Sequence, residues 1–308
     1  MHKRESPTGL PASAVGLALL IAAIWGFNFV VIDVGVASVP PLMLAALRFV
    51  FSAFPALLFV KRPAAPLRSL ALYGILLGVG EFGFLFTAIK LGAPPGISSI
   101  LLQFQAFFTA ALAAVFLRER LSAWSLGGMG IAAAGLLLFA LSSGAGAGAV
   151  AISLPLLAMI LLAALGWAGA NVVTRSMPGT SALGLMVWSS LFSPIPLAGL
   201  SLLFEGPRAI AAAALGISWL SVGALAYLVI MSTLLGYGLW NHLILKHGAG
   251  RIAPFSLLVP IFGVLSAALA LGERFGTRDA LGASLVLAGV LLHVFGTRLA
   301  RLSGPGRG

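Results

Sequence analysis

The sequence predicts an all-α integral membrane protein in which ten transmembrane helices form two inverted five-helix repeats around a central cavity, with both termini cytoplasmic. Three observations predict it. Hydrophobic residues make up 60% of the 308 residues and charged residues only 8%, whereas a soluble domain carries about a quarter charged residues. Apolar runs of bilayer length, roughly 20 residues each, recur along the whole chain between Gly, Pro or charged boundaries. The hydrophobic pattern is also written twice. Trp25 with Val30-Val31 recurs as Trp167 with Val172-Val173, Phe51-Ser52-x-x-Pro55 as Phe192-Ser193-x-x-Pro196, Lys90-x-Gly-Ala93 as Lys246-x-Gly-Ala249, and Glu119-Arg120 as Glu273-Arg274. The four matches keep one order, at offsets between 141 and 156 residues. An odd number of spans per copy turns the second copy upside down in the bilayer, as in transporters built from inverted repeats.

In order, the predicted spans are 14–34, 41–60, 69–90, 94–117, 123–142, 154–174, 180–204, 216–245, 251–271 and 277–298. Residues 1–13 form a cytoplasmic tail, 14–142 the first repeat, 143–153 a Gly/Ala-rich linker, 154–298 the second repeat and 299–308 a second cytoplasmic tail. The short polar start runs into a span as long as the others, with no small-residue cleavage site, so the first helix is expected to be retained. Pro55 and Pro196 lie in corresponding spans, where a missing N–H and a ring clash predict kinks. Each fifth span carries glycines seven apart, Gly128 and Gly135, then Gly282 and Gly289. That spacing puts small residues on one stripe and predicts close packing, on each other or on another protomer.

The formal charge of +11 reflects topology rather than nucleic-acid binding. With the N-terminus inside, thirteen Lys and Arg fall on cytoplasmic segments and four, Lys90, Arg208, Arg274 and Arg278, on outer ones. This follows the positive-inside rule, with some attraction to anionic membrane lipid. The chain has no cysteine, which excludes disulfides and thiolate metal sites. It has no G-x-x-x-x-G-K-[ST] phosphate loop for a built-in ATP motor, no H-E-x-x-H and no paired intramembrane aspartates. No enzymatic activity and no cofactor are expected.

Ionisable groups deep in hydrocarbon are expensive and need a partner or a task. Arg48 and Glu81 are the two clear cases, and Asn28 and Gln103 come out at comparable depth. One reading is a polar cluster lining a cavity, with Glu81 binding a substrate ammonium or carrying a proton and Arg48 attracting a carboxylate. The other is a structural Arg48–Glu81 ion pair tying span two to span three. Trp25 and Trp167 occupy matching mid-span places, where inverted-repeat transporters put their sites. Asn171 adds hydrogen-bonding capacity and Tyr237 an aromatic ring with a polar edge. Asp33, Lys90, Glu205 and Asp279 sit near predicted span ends and read as solvated interface residues.

Trp25-Gly26-x-Asn28 in span one, Leu47-Arg48-Phe49 in span two, and the Glu-Arg pairs before small-residue-rich spans together resemble the drug/metabolite transporter superfamily, and within it the ten-helix EamA branch. The likeness runs from about residue 14 to 298. It implies a bacterial inner-membrane secondary transporter that exports amino acids, aromatic and other neutral ones, or similar small metabolites from a cavity between the halves. Arg48 aligns with Ser189, and no acid of the second half aligns with Glu81, so the polar work is expected mainly in the first half. Alternatives are a multidrug or other-metabolite exporter, a lipid-precursor flippase, and a non-transporting membrane assembly protein. The partner expected is a small-molecule substrate, and the sequence leaves a monomer and a homodimer both open.

Overall fold

The protein is described by a computed structural model covering residues 10–119, 121–142 and 152–303. Most of the tails and linker expected at 1–13, 143–153 and 299–308 lies outside the described residues, as does Arg120. The described residues are helical, and none is in a strand.

Chain order gives α1 (Ala12–Ser38), α2 (Pro41–Leu58), α3 (Leu67–Lys90), α4 (Pro95–Phe116), α5 (Ala123–Ser142) and α6 (Leu154–Arg175). There follow α7 (Ala182–Ser189), α8 (Pro194–Phe204), α9 (Pro207–Leu215), α10 (Trp219–His247), α11 (Ala249–Ile252), α12 (Val259–Leu271) and α13 (Thr277–Ser303). A 3₁₀ turn at Ala253–Leu258 leads from α11 into α12. Among the described residues, eight helices are long and apolar enough to cross a membrane, and the bent pair α7–α8 makes a ninth if it is one span. Ala123–Phe139 is a shorter apolar helix.

The expected kinks fall at element breaks. Span two leaves α-helical geometry after Ala53 and ends in a 3₁₀ turn at Ala56–Leu58. The seventh run bends by 47° between α7 and α8, just ahead of Pro194 and Pro196, whose rings cannot fit inside a continuing helix. The short helix α9 was not expected from the sequence. Its exposed alanines carry no apolar run long enough to cross a bilayer.

Packing exchanges partners between the halves. Helix α1 lies against α10 and α12, while α6, its counterpart, lies against α3 and α4. Helix α2 packs on α8, and α5 on α13. The α5–α13 contact settles where the glycine stripes go. A Cβ on Gly135 would stand 2.7 Å from the Gly282 carbonyl oxygen, and one on Gly289 2.5 Å from that of Gly128. Gly128 therefore faces Gly289 and Gly135 faces Gly282, so the two helices run antiparallel and use their small residues on each other. Backbones at that distance gain dispersion contacts that longer side chains would prevent. Antiparallel pairing also puts Glu119, before α5, and Glu273, before α13, at opposite ends of the bundle.

Three residues expected to be solvated are tied down instead. Asp279 is buried and accepts the Gly276 N–H at 2.9 Å. Glu205 accepts from Leu42 N at 2.7 Å and from Met43 N at 3.4 Å, capping α2, and also binds the Ser201 hydroxyl. Lys90 donates to the carbonyls of Val36 and Ala37 at 2.6 and 3.0 Å, holding the end of α1. Helix ends leave unsatisfied N–H and C=O groups, and these charged side chains satisfy them.

Candidate functional site

Between the halves lies a cavity of about 480 Å³. All eight residues singled out from the sequence line it: Trp25, Asn28, Arg48, Glu81, Gln103, Trp167, Asn171 and Tyr237. It extends from mid-span toward Thr174, Thr180 and Ala182, at the Glu119 end of the bundle. At the Glu273 end the Lys90, Glu205 and Glu273 contacts tie helix ends together.

Each polar group reaches the cavity through a feature of its helix. Glu81 stands in a π-helical stretch of α3, Leu76–Gly83. Such widened turns reposition a side chain and recur at functional sites. Helix α10 carries a corresponding π stretch, Tyr227–Leu235, just before Tyr237. By the register that relates Lys90 to Lys246, Tyr237 stands in the place of Glu81. The wall beside Glu81 is thin because α3 and α6 meet at glycines: a Cβ on Gly166 would lie 2.7 Å from the Glu81 backbone N. This close crossing places Trp167, the next residue, against the cavity.

Arg48 and Glu81 form no ion pair within 4.0 Å, which decides against the structural-pair reading in this conformation; among the described residues only Arg175 and Glu119 are so paired. Instead the Arg48 guanidinium crosses to the second half. Its Nε donates to Thr233 Oγ1 at 3.2 Å and its Nη2 to Ser232 Oγ at 3.4 Å, with Cζ 4.0 Å above the Phe82 ring. Arg48 Nη1, Glu81 Oε2 and Asn28 Oδ1 are buried with no hydrogen-bond partner. An unpaired buried polar atom costs a few kcal/mol, more where it is charged. All three side chains line one cavity, with the unpartnered atoms set into its wall, the signature of a site completed by something else.

The aromatic side is equally specific. The Trp25 ring lies 5.5 Å from Tyr237 and 5.2 Å from Trp240, and its Nε1 donates to the Ser232 carbonyl at 3.0 Å. Asn171 Nδ2 donates to Gln105 Oε1 at 2.8 Å and to Thr109 at 3.3 Å, so it is engaged with α4 while lining the cavity. Ser232, Thr233 and Gln105 were missed as functional candidates. The adjacent Ser232-Thr233 pair inside an apolar span was the available signal for the first two.

Outside the spans, the Glu273 carboxyl is pushed up to about 7. Burial is the main cause, the Gly96 N–H acts against it, and the nearby Asp33 charge adds to it.

The EamA-like transporter family model matches residues 12–141 and again residues 154–295. The chain belongs to the EamA-like transporter family. It is 42% identical over 295 residues to a probable amino-acid metabolite efflux pump of Salmonella typhimurium, covering 94% of this chain and 98% of the relative. The protein of the same description in Escherichia coli is 41% identical over 286 residues, covering 92% and 95%. A probable terminal-alkyne amino-acid exporter of Streptantibioticus cattleyicolor is 25% identical over 307 residues, covering 96% and 99%. One crystal structure shares the fold at 19% identity, with a TM-score of 0.58, over 96% of this chain and all of its own. This EamA-like transporter is thus a multi-pass protein of the inner membrane.

Proposed function

We propose that this transporter exports amino acids, aromatic and other neutral ones, by alternating access, through ten spans arranged as two inverted repeats with both termini cytoplasmic. The two family matches, the exchanged packing of α1 and α6, the antiparallel α5–α13 pair and the thirteen-to-four excess of inner positive charge support that topology. In it the cavity of this conformation opens to the cytoplasm, the side from which an exporter loads.

One observation carries the substrate reading. Arg48 and Glu81 line one cavity, are of opposite charge type when ionised, and leave Nη1 and Oε2 unpaired rather than pairing with each other. A zwitterion supplies both missing partners: its carboxylate takes Arg48 Nη1 and its ammonium takes Glu81 Oε2 and Asn28 Oδ1. Its side chain then lies along Trp25, Tyr237 and Trp240, surfaces that accept aromatic and aliphatic groups by dispersion with few further hydrogen bonds. The relatives described as amino-acid exporters support the same substrate class.

Counterflow of labelled threonine, methionine and phenylalanine in liposomes, with no imposed ion gradient, tests this. Saturable exchange is expected, with Arg48→Gln weakening it about 100-fold for every amino acid, the order of a lost charge-assisted hydrogen bond in a buried site. No exchange by folded protein would remove the amino-acid reading and bring drugs, other metabolites or a lipid precursor forward. A second role for Glu81 follows from its lack of an ion pair, since an unpaired carboxyl can also carry a proton. If it does, Glu81→Gln keeps counterflow but loses stimulation by a pH gradient. If it holds the substrate ammonium, the same change weakens counterflow itself.

A further inference from the structure

The repeated Glu-Arg motif is built twice on one turn and used in two different ways. Glu119 follows Arg118, whose backbone is left-handed at φ 56°, and Glu273 follows Gly272 at φ 69°. The Glu119 N–H bonds back to the Ala113 carbonyl at 3.3 Å, and the Glu273 N–H to the Ala267 carbonyl at 3.3 Å. Every member of one turn lies 154 residues from its counterpart in the other. Each bond spans seven residues, one more than the usual closing bond of a helix that ends in a left-handed residue. The turns match, so a difference in what the two carboxylates hold reflects their surroundings.

At the end away from the cavity mouth, both Glu273 oxygens accept the Gly96 N–H, at 3.3 and 3.2 Å. Gly96 is the second residue of α4, where helical N–H groups lack an internal partner and the helix dipole favours negative charge. A Cβ there would stand 2.7 Å from Glu273 Oε2 and 2.6 Å from Phe275 Cζ, so an added methyl displaces the ends of those two side chains. The contact joins the second half to the first. At the other end Glu119 makes no such contact and instead pairs with Arg175 at 2.8 Å, both side chains about half exposed. The counterpart of Gly96 is Gly250, the second residue of α11 and 154 residues on.

We propose that Glu119 and Glu273 are reciprocal latches: Glu273 on the Gly96 N–H closes the outer end here, and Glu119, released from Arg175, takes the Gly250 N–H to close the inner end when the outer one opens. Each latch reaches from one half to the other, so only a relative movement of the halves makes or breaks it. Arg175 then acts as the holder of the unlatched carboxylate. The inference rests on the alternating-access reading, and gate opening is measured separately from flux so that either can fail alone.

The absence of native cysteine allows single reporter thiols. Ile32→Cys probes a fully buried position of α1, one turn beyond Asn28 toward the outer end. Ala182→Cys probes the cavity lining at the inner end. Their modification rates with a small maleimide are measured in purified, monodisperse protein. Glu273→Ala is expected to raise the rate at 32 about tenfold and to lower it at 182, the size of a lost hydrogen bond. Gly96→Ala is expected to act in the same direction. Glu119→Ala lowers the rate at 32, whereas Arg175→Gln, which frees Glu119, raises it. This opposition separates a latch from an ordinary ion pair, in which both changes act alike. Equal shifts from Glu119→Ala and Arg175→Gln, or an unmoved rate at 32 in both Glu273→Ala and Gly96→Ala, overturn the proposal. Glu273→Gln, which keeps an acceptor oxygen, is expected to leave the outer end closed and serves as the folded control.

Discussion

Trp25 and Trp167 hold matching places in the two halves, and both line the cavity, yet their surroundings differ. Trp25 packs against Tyr237 and Trp240 and donates its indole N–H to Ser232. Trp167 makes no ring contact or hydrogen bond among the described residues, and only its partly buried indole packs on the core. The charged positions divide the same way. Arg48 corresponds to Ser189, which bonds within its own helix to the Met186 carbonyl, and Glu81 corresponds to Tyr237. The helix-pairing scaffold, by contrast, is kept in both halves, down to glycine facing glycine between α5 and α13. The difference teaches a division of labour. On the proposed function, a scaffold that alternates between two states needs two equivalent arrangements, whereas a zwitterionic substrate needs two unlike groups. On that reading, the likeness of the halves survives where it would serve movement and is lost where it would duplicate a charge.

The largest effect is expected where symmetry is kept. Gly289→Leu forces a side chain into the Gly128 carbonyl and the Ala132 backbone, and separating the helices should cost about 3 kcal/mol or more. Gly130→Leu is the internal control, two residues from the stripe with nothing within 4 Å of its added Cβ. Thermal unfolding in detergent is expected to show a sharp loss for the first and almost none for the second. Similar losses would mean that the stripe is not the seam.

A smaller effect sharpens the asymmetry. Trp25→Ala removes one hydrogen bond and two ring contacts, each ring contact worth roughly 0.5–1.5 kcal/mol, so about a tenfold or greater loss of affinity for phenylalanine is expected in counterflow. Trp167→Ala removes wall area alone, and a few-fold loss is expected. Equal losses would show that the two tryptophans do equivalent work and that the cavity is more symmetric than its contacts indicate.

Much of this was legible in the sequence for a physical reason. A backbone in hydrocarbon must satisfy its own hydrogen bonds, so span positions follow from runs of apolar residues. Polar residues cannot face lipid cheaply, so Asn28, Arg48, Glu81 and Gln103 had to turn inward, and one cavity collects them. The partners were not legible. Whether Arg48 meets Glu81 or Ser232 and Thr233 depends on how the halves are set against each other, which no local pattern encodes. The capping roles of Glu205, Lys90 and Glu273 depend likewise on which helix ends come together. The same holds for Asp279, read as solvated yet buried.

The smallest expected effect compares the two Glu turns through pH. Burial against α4 holds the Glu273 carboxyl at about 7, although the Gly96 N–H favours its charged form; Asp33 on α1, itself facing Lys90, opposes that form, and Arg274, Arg278 and Asp279 flank it on its own segment. In the proposed outward-open state the carboxyl would meet water and return toward its ordinary value of 4.5. Between these values the closed state binds a proton that the open state does not, so acid favours closure and alkali favours opening. The rate at Ile32→Cys is therefore expected to rise several-fold from pH 5.5 to 8, relative to the same reporter in Glu273→Gln at each pH, a ratio that cancels the titration of the thiol itself. A flat ratio would mean that Glu273 reaches the open state with its carboxyl still buried. A falling one would mean that the charged carboxylate is what holds the latch, and burial would then be the lesser influence on the gate.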